Sequence, residues 1–337
     1  NVFAGSDLRY FNEFQTFIHK STKLHIATNY RSYRKIVQVG NQIMEGKGLP
    51  SKPYKNSEGE VLITYLDQFQ PSEHERTSYR GDLITPALIR IINNLLEKGT
   101  KVALLSRRKN GLPYYNLHEK GYGNFQDKFI EAIRQEFPED KRKLIVSINT
   151  VHSFKGKEED TIILLDALEK SFPLLHPRNV FFEILGSTSS KVYDEEQRLF
   201  YVALTRAKEK LIIVSESKKE SPFLENIIRS GLPEYLDINT LNPPLKIVTK
   251  YNVVVSNYGG SLGTLKIKSI LKSLWYRYDS TTYSWRKIVD SQNFNINKLL
   301  AEPWIREASG VRIMIYDEYD REVCSYVIRD GRAHESK

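Results

Sequence analysis

The sequence predicts an α/β protein, with a parallel sheet flanked by helices over residues 23–232 and a smaller α+β unit over 245–337. Three observations predict it. From Lys23 to about Ser230, short apolar β-rich runs alternate with amphipathic helical stretches, the pattern of strands joined by crossover helices. Periodicity then breaks across residues 233–244, where Pro233, Pro243 and Pro244 stand among turn formers, as in a linker. Beyond the break, apolar runs are punctuated by Gly259-Gly260 and by the acidic turn at 317–320.

The strands are expected at 24–28, 61–65, 101–106, 144–149, 161–166 and 210–215, each a run rich in Val, Ile and Leu. Residues 33–44 and 83–98 space apolar side chains three and four apart, and Gly99 follows the second as a helix stop. Residues 124–137 behave alike and are closed by Pro138. The stretch 171–193 holds Pro173, Pro177 and a Ser-Thr-Ser-Ser run, and reads as a long surface loop. In the second unit a strand is expected at 247–255, a helix at 261–274, and a hairpin from 311–316 and 323–328.

With 337 residues and 40% hydrophobic content, the chain is long enough for two or three domains with real cores, which excludes a disordered protein. Lysine and arginine outnumber the acids 50 to 41, for a net charge of +9, a balance that favours polyanionic partners without identifying one. The one cysteine, Cys324, excludes an internal disulfide framework and a cysteine-based zinc site. No apolar run is long enough to span a bilayer, and Asn1-Val2-Phe3-Ala4-Gly5 lacks the basic start of a signal peptide. A cytoplasmic location is therefore expected, in a bacterial cytoplasm or nucleoid.

Three strings carry chemistry. Thr150-Val151-His152-Ser153-Phe154-Lys155-Gly156-Lys157-Glu158 lies between two expected strands, at the carboxyl edge where open α/β sheets bind ligands. Residues 194–208 read as a helix running into the strand at Lys210, with Arg206 near its end offering a rigid charged fork. Asn29-Tyr30-Arg31-Ser32 follows the first strand and brings another arginine and a ring to the same edge. Each has a duller reading. Arg206 suits a helix-end cation on the last carbonyls, Arg31 a surface turn, and His152 a strand-end histidine satisfied by backbone. Glu195 and Glu196 read as first-turn acids that favour the helix dipole.

Together the three strings resemble motifs four, five and six of superfamily 1 DNA helicases of the UvrD/Rep type, closest to the helicase IV group, and Phe3-Ala4-Gly5-Ser6-Asp7 resembles the tail of motif three. The resemblance covers residues 1 to about 228. It implies that 1–22 close a first motor domain, that 23–232 form a second, RecA-like motor domain, and that 245–337 are accessory. It implies ATP with Mg2+ as cofactor, with magnesium ligands mainly in a separate N-terminal motor domain, and single-stranded DNA as substrate track. By the same resemblance Arg31 and Arg206 act as arginine fingers on the γ-phosphate. Tyr30, Gly156 and Glu158 shape the nucleotide pocket, Glu158 at the ribose. Thr150, His152 and Lys155 face DNA, and Phe3 stacks on a base.

No complete Walker A string occurs in the sequence, so this stretch alone is expected to be inactive and to serve as the C-terminal motor part of a 3′-to-5′ helicase acting in DNA transactions such as repair. The alternative is a non-catalytic helicase-like module that binds DNA or acts as a scaffold. A nuclease-fused relative ranks last, since the second unit shows no acid-and-lysine cluster for a catalytic metal.

In that unit, Trp275, Tyr278, Trp285 and Lys287 interleave rings with cations, as surfaces that stack bases and neutralise phosphates do. A buried core with basic edges fits the same string, and a protein partner through 245–337 fits the same unit. No metal site is expected.

Overall fold

The computed structural model describes residues 13–22, 27–79, 82–108, 125–175 and 189–336. By its contacts the chain divides into two units: the described residues up to Phe129 with Leu144–Pro243, and Ile130–Lys143 with Pro244–Lys337. The division at 243/244 lies at the end of the expected linker. Residues inside that linker are nonetheless structured: Glu234–Tyr235 add a short strand to the first unit's sheet.

The first unit is built on six parallel strands. A separate two-residue pair, β1 (Thr28–Asn29) with β2 (Lys52–Pro53), precedes them. The main sheet holds β3 (Glu60–Tyr65), β4 (Val102–Ser106), β5 (Ile145–Thr150), β6 (Glu159–Leu164), β7 (Ala207–Ser215) and β8 (Glu234–Tyr235), in the order β5-β4-β6-β7-β3-β8. Every pairing is parallel. The strand expected at 24–28 lies mostly outside the described residues, and Thr28 pairs with Lys52 instead of joining the six.

The order follows from side chains. Strands β4, β6 and β7 carry unbroken buried runs, Val102 to Leu105, Thr161 to Leu164 and Leu211 to Ser215, as strands covered on both faces require. At one edge, β5 alternates Ser147 and Asn149 with apolar residues, which suits partial exposure. Helices α1 (Arg34–Ile43), α2 (Ile84–Glu97) and α4 (Ser189–Leu204) supply crossovers, and the chain between β4 and β5 carries α3 (Phe125–Glu136), whose residues from Ile130 on group with the second unit. One core joins Ile36, Val39 and Ile43 of α1 to Phe200, Ala203 and Leu204 of α4 over Ile162, Leu211 and Ile213. A Cβ at Gly40 would stand 3.0 Å from the Tyr201 ring and 3.1 Å from Thr205 Cγ2, so α1 approaches α4 as closely as glycine allows. The start of α4 at Ser189 shortens the expected 171–193 loop. Its residues 176–188 lie outside the description.

The second unit carries a six-stranded antiparallel sheet, ordered β10-β11-β9-β12-β13-β14. Its strands are β9 (Lys250–Asn257), β10 (Arg277–Asp279), β11 (Ser284–Asp290), β12 (Val311–Asp317), β13 (Glu322–Arg329) and β14 (Arg332–Glu335). The expected 311–328 hairpin forms as β12 and β13. The helix expected at 261–274 is two short helices, α5 (Gly263–Lys266) and α6 (Lys268–Ser273), parted at Ile267, where φ −98° and ψ 3° leave the helical range. With α7 (Ile296–Leu300) and α8 (Pro303–Glu307) they share a core with one face of the sheet, built on Val253, Val255, Trp304, Ile313 and Ile328. The unit is α+β, as expected.

Candidate functional site

Helix α4 ends where its last apolar residues are anchored. Phe200, Ala203 and Leu204 are fully buried, and the chain passes through Thr205 and Arg206 directly into β7 at buried Ala207. With no loop to absorb motion, Arg206 is fixed from both sides. Its carbonyl accepts from Glu159 N at 3.1 Å, tying it to the start of β6. Its guanidinium donates through Nε to Val202 O at 3.1 Å and through Nη1 to Lys157 O at 3.2 Å. The helix-end reading is thus part of its geometry. Three of its five N–H donors are left over among the described residues.

Arg31 reaches the same place from another segment. Asn29 Oδ1 accepts from the backbone N of Arg31 at 2.9 Å and of Ser32 at 3.0 Å, a side-chain-mimicked turn that aims the chain into α1. Ser32 Oγ then donates to Ala207 O at 2.7 Å, and Tyr33 N to Lys208 O at 2.8 Å, clamping this turn onto the first residues of β7. Arg31 Nε is ion-paired to Glu158, and its Nη1 lies 3.4 Å from Thr205 O. Two guanidinium groups, separated by 175 positions in the chain, are therefore held against the single stretch Lys157-Glu158 and the end of α4.

The electrostatics match. The Arg206 guanidinium sits below its ordinary range because burial strips it of water and the Arg31 charge repels it. Glu158 supplies one negative charge against two positive ones, so the cluster keeps an excess of positive charge. It has the donors to take a multiply charged anion such as a phosphate.

The loop after β5 is pinned by buried Val151 and Phe154, with Phe154 N donating to Thr150 O at 3.1 Å. Gly156 has φ +88°, a left-handed turn that a side chain would strain. Thr150 Oγ1 shares a hydrogen bond with Ser153 Oγ at 3.0 Å. His152 is held below its ordinary pKa by loss of water and then by the charge of Arg107. Thr150, His152 and Lys155 therefore stand on one turn next to the arginine cluster, and Tyr30 is exposed with its ring 4.7 Å from that of Tyr54. Phe3 lies outside the described residues.

A second cluster was not expected. Arg107, just past β4, forks onto Glu196 at 2.6 and 3.1 Å, and both are largely buried. Its backbone N donates to both oxygens of fully buried Asp166 at 3.0 and 3.1 Å. Glu196 also accepts from Leu174 N at 3.0 Å. It is not a first-turn acid, because α4 begins seven residues earlier, at Ser189. The signal was present: Glu196 precedes Phe200 by four and Ala203 by seven, which puts it on the buried stripe.

The aromatic-basic string of the second unit divides. Trp285 is 3% exposed and part of the core, so it stacks on nothing outside the protein. Lys287 shares that face, donating to Glu302 at 3.0 Å over the Tyr276 ring, and is a core-edge cation. For these two residues the core alternative holds. Trp275, 85% exposed, and Tyr278, 51% exposed, remain on the surface.

Among the described residues no three His, Cys, Asp or Glu side chains gather to hold a metal ion, and no helix is long and apolar enough to cross a membrane.

Residues 124–218, which contain the 150–158 loop and α4 with Arg206, match the family model for the UvrD-like helicase C-terminal domain. DNA helicase IV of Escherichia coli K12 is 23% identical over 237 residues, 68% of this chain and 30% of that protein. A probable DNA helicase of Mycoplasma pneumoniae is 36% identical over 110 residues, 32% of this chain and 19% of that protein. The chain thus spans less than a third of either relative. Among solved structures, the C-terminal domain of a possible DNA helicase from Lactobacillus plantarum WCFS1 overlaps 62% of this chain and 99% of its own, at 14% identity and a TM-score of 0.36. By its motif strings and the matching family model, the chain resembles the UvrD/Rep-type superfamily 1 DNA helicases, helicase IV among them, and residues 124–218 match that family's C-terminal domain.

Proposed function

We propose that this chain supplies the C-terminal motor part of an ATP-dependent 3′-to-5′ DNA helicase or translocase, with residues 23–232 as its RecA-like second motor domain and 245–337 as an accessory domain. The observation that carries the reading is the convergence of Arg31 and Arg206, from distant segments, on Lys157-Glu158. Like charges are brought together at a cost unless an anion offsets it, and the one carboxylate present offsets half.

ATP with Mg2+ supplies the phosphoryl group whose transfer drives the motor. The residues of this chain bind and stabilise. Arg31 and Arg206 present spare N–H donors where charge spreads over equatorial oxygens, the arginine-finger role. Glu158 orients Arg31 and stands beside the ribose position, while Tyr30 and Gly156 line the entrance. Thr150, His152 and Lys155 form part of a single-stranded DNA track on the adjoining turn, a step of a few residues from the arginines. A separate N-terminal motor domain holds the Walker loop and the magnesium ligands. DNA repair is the setting this activity suits.

The test is single-stranded-DNA-stimulated ATPase of the full-length protein. Arg206→Ala is expected to cut turnover by about three to five powers of ten while nucleotide still binds. Turnover at the unsubstituted rate in a folded Arg206→Ala protein overturns the assignment.

A further inference from the structure

The antiparallel sheet of the second unit has two faces, and the helices share a core with only one. Val253, Val255, Ile313, Ile315 and Ile328 belong to that core. Alternation therefore turns Asn252, Val254, Arg312, Met314 and Tyr316 to the other side. Register extends the surface in rows. Arg277 is opposite Arg286, Arg286 opposite Val254, and Val254 opposite Met314. In the next row Ser256 is opposite Arg312, Arg312 opposite Val327, and Val327 opposite His334. Arg329 and Arg332 pair across β13 and β14 on the same side.

This face is cationic with an apolar, aromatic floor. Arg286 is shared with Asp279 at 3.2 Å and Thr282 at 3.3 Å. The side chains of Arg277, Arg312, Arg329 and Arg332 have no partner among the described residues, and the buried Nε of Arg312 has no acceptor. Asp279, Asp290 and Glu322 are the acids of this face, so arginine is in excess over carboxylate. Between the cations lie buried Val254 and Val327, with Met314 and the half-buried Tyr316 ring, whose hydroxyl touches Met314 Sδ at 3.3 Å. Five strand steps separate Arg277 from His334, about 24 Å at a spacing of ~4.8 Å per strand.

We propose that this face binds single-stranded DNA, with Arg277, Arg286 and Arg312 on phosphates and Tyr316 against a base. Charge complementarity selects a polyanion. The ring in the apolar floor selects one with stackable groups, because every base offers a π-face. The choice of DNA rests on the helicase reading, whereas the face itself rests on strand register. The surface is separate from Trp285 and Lys287, which lie on the opposite side of the same sheet.

The probe is a short fluorescein-labelled oligothymidylate, titrated with the whole chain and followed by anisotropy across a salt series. Alanine at Arg277, Arg286 and Arg312 together is expected to weaken binding tenfold or more and to flatten the slope of log K against log salt by about 2, at roughly 0.7 per lost phosphate contact. Lysine at the same three positions keeps the slope. Tyr316→Leu weakens binding by roughly fivefold and leaves the slope unchanged. These differences persist in a His152→Ala, Lys155→Ala background and need no ATPase, so failure here is distinguishable from failure of the motor reading. Unchanged affinity and slope in the triple alanine variant, with native circular dichroism, overturn the proposal. So does a labelled glutamate-rich peptide that binds this face and is not displaced by the oligonucleotide. If the triple variant does not fold, Arg277→Glu at the exposed sheet edge serves instead, and wild-type affinity for it overturns the proposal equally.

Discussion

Asp166 is the acid on which the interior of the first unit depends most visibly on pH. Its carboxyl is fully buried, and the Arg107 guanidinium is already forked onto Glu196. Loss of water therefore outweighs the two contacts from Arg107 N, and the pKa is pushed from 3.8 up to about 7. A raised acid is protonated in the fold while ionised in the unfolded chain. Stability falls as pH rises above 3.8 and levels off above about 7. Between pH 5 and pH 8 only the stretch up to 7 counts, two units at 1.36 kcal/mol, or about 2.7 kcal/mol. Asp166→Asn removes the titration and keeps an oxygen for Arg107 N. Urea unfolding of both proteins at pH 5 and pH 8 should show the native chain losing about 2.7 kcal/mol more than the variant. Histidine titrations cancel in that difference. Carboxyl carbon-13 shifts report the protonation state directly. Equal pH dependence in the two proteins, with the carboxyl ionised at pH 5, refutes the reasoning and shows that Asp166 is held as an anion.

Glu75 and Arg90 are a buried pair bonded at 2.6 and 2.8 Å, so Glu75→Ala should cost about 3–5 kcal/mol in urea unfolding, against less than about 1 for Glu58→Ala, whose partner Arg34 is exposed; equal losses refute the contrast. A Cβ at Gly263 would stand 2.3 Å from Ser309 O and 2.8 Å from Val311 Cγ2, so Gly263→Ala should cost the second unit about 3 kcal/mol, read as a lowered Tm. Gly260→Ala, with φ +75° and open space, should cost about 1. Glu302 accepts from Trp304 Nε1 at 2.6 Å, Tyr276 at 2.8 Å and Lys287 at 3.0 Å, and burial, then the Glu302 charge, push the Tyr276 phenol's pKa up. Glu302→Ala leaves all three donors without their acceptor and should cost at least about 3 kcal/mol, with a shift in tryptophan emission. A silent emission spectrum counts against it.

What the sequence made legible follows the physics of each element. Strands β4, β6 and β7 were readable because both faces are buried, so apolar runs such as Val-Ala-Leu-Leu and Leu-Ile-Ile-Val stand unbroken. The β10–β11 hairpin was not. Its connection, Ser280-Thr281-Thr282-Tyr283, has no glycine, and Tyr283 itself takes φ +52°. Its strands set Trp285 against the core and Arg286 on the other face, so alternation read as a mixed aromatic and basic string. The break at Ile267 left no proline or glycine to mark it.

The site shows a sharper division. Spacing placed the 150–158 loop and Arg206 at a sheet edge, because a strand end and a helix end are local events. The pairing of Arg31 with Glu158 crosses 127 positions, and no periodicity reports a contact of that kind. Buried charge is harder still, since a carboxylate in a helix is read as solvated by default, and only its distance from the next apolar residues argues otherwise. Glu196 lies on α4 and Arg206 two residues beyond its end, the first locked to Arg107 beside His152, the second facing Arg31. Arg107 is tied to α4 through Glu196 and Arg206 through Val202 O, so both arginines are held to one helix by short contacts and not through a flexible loop.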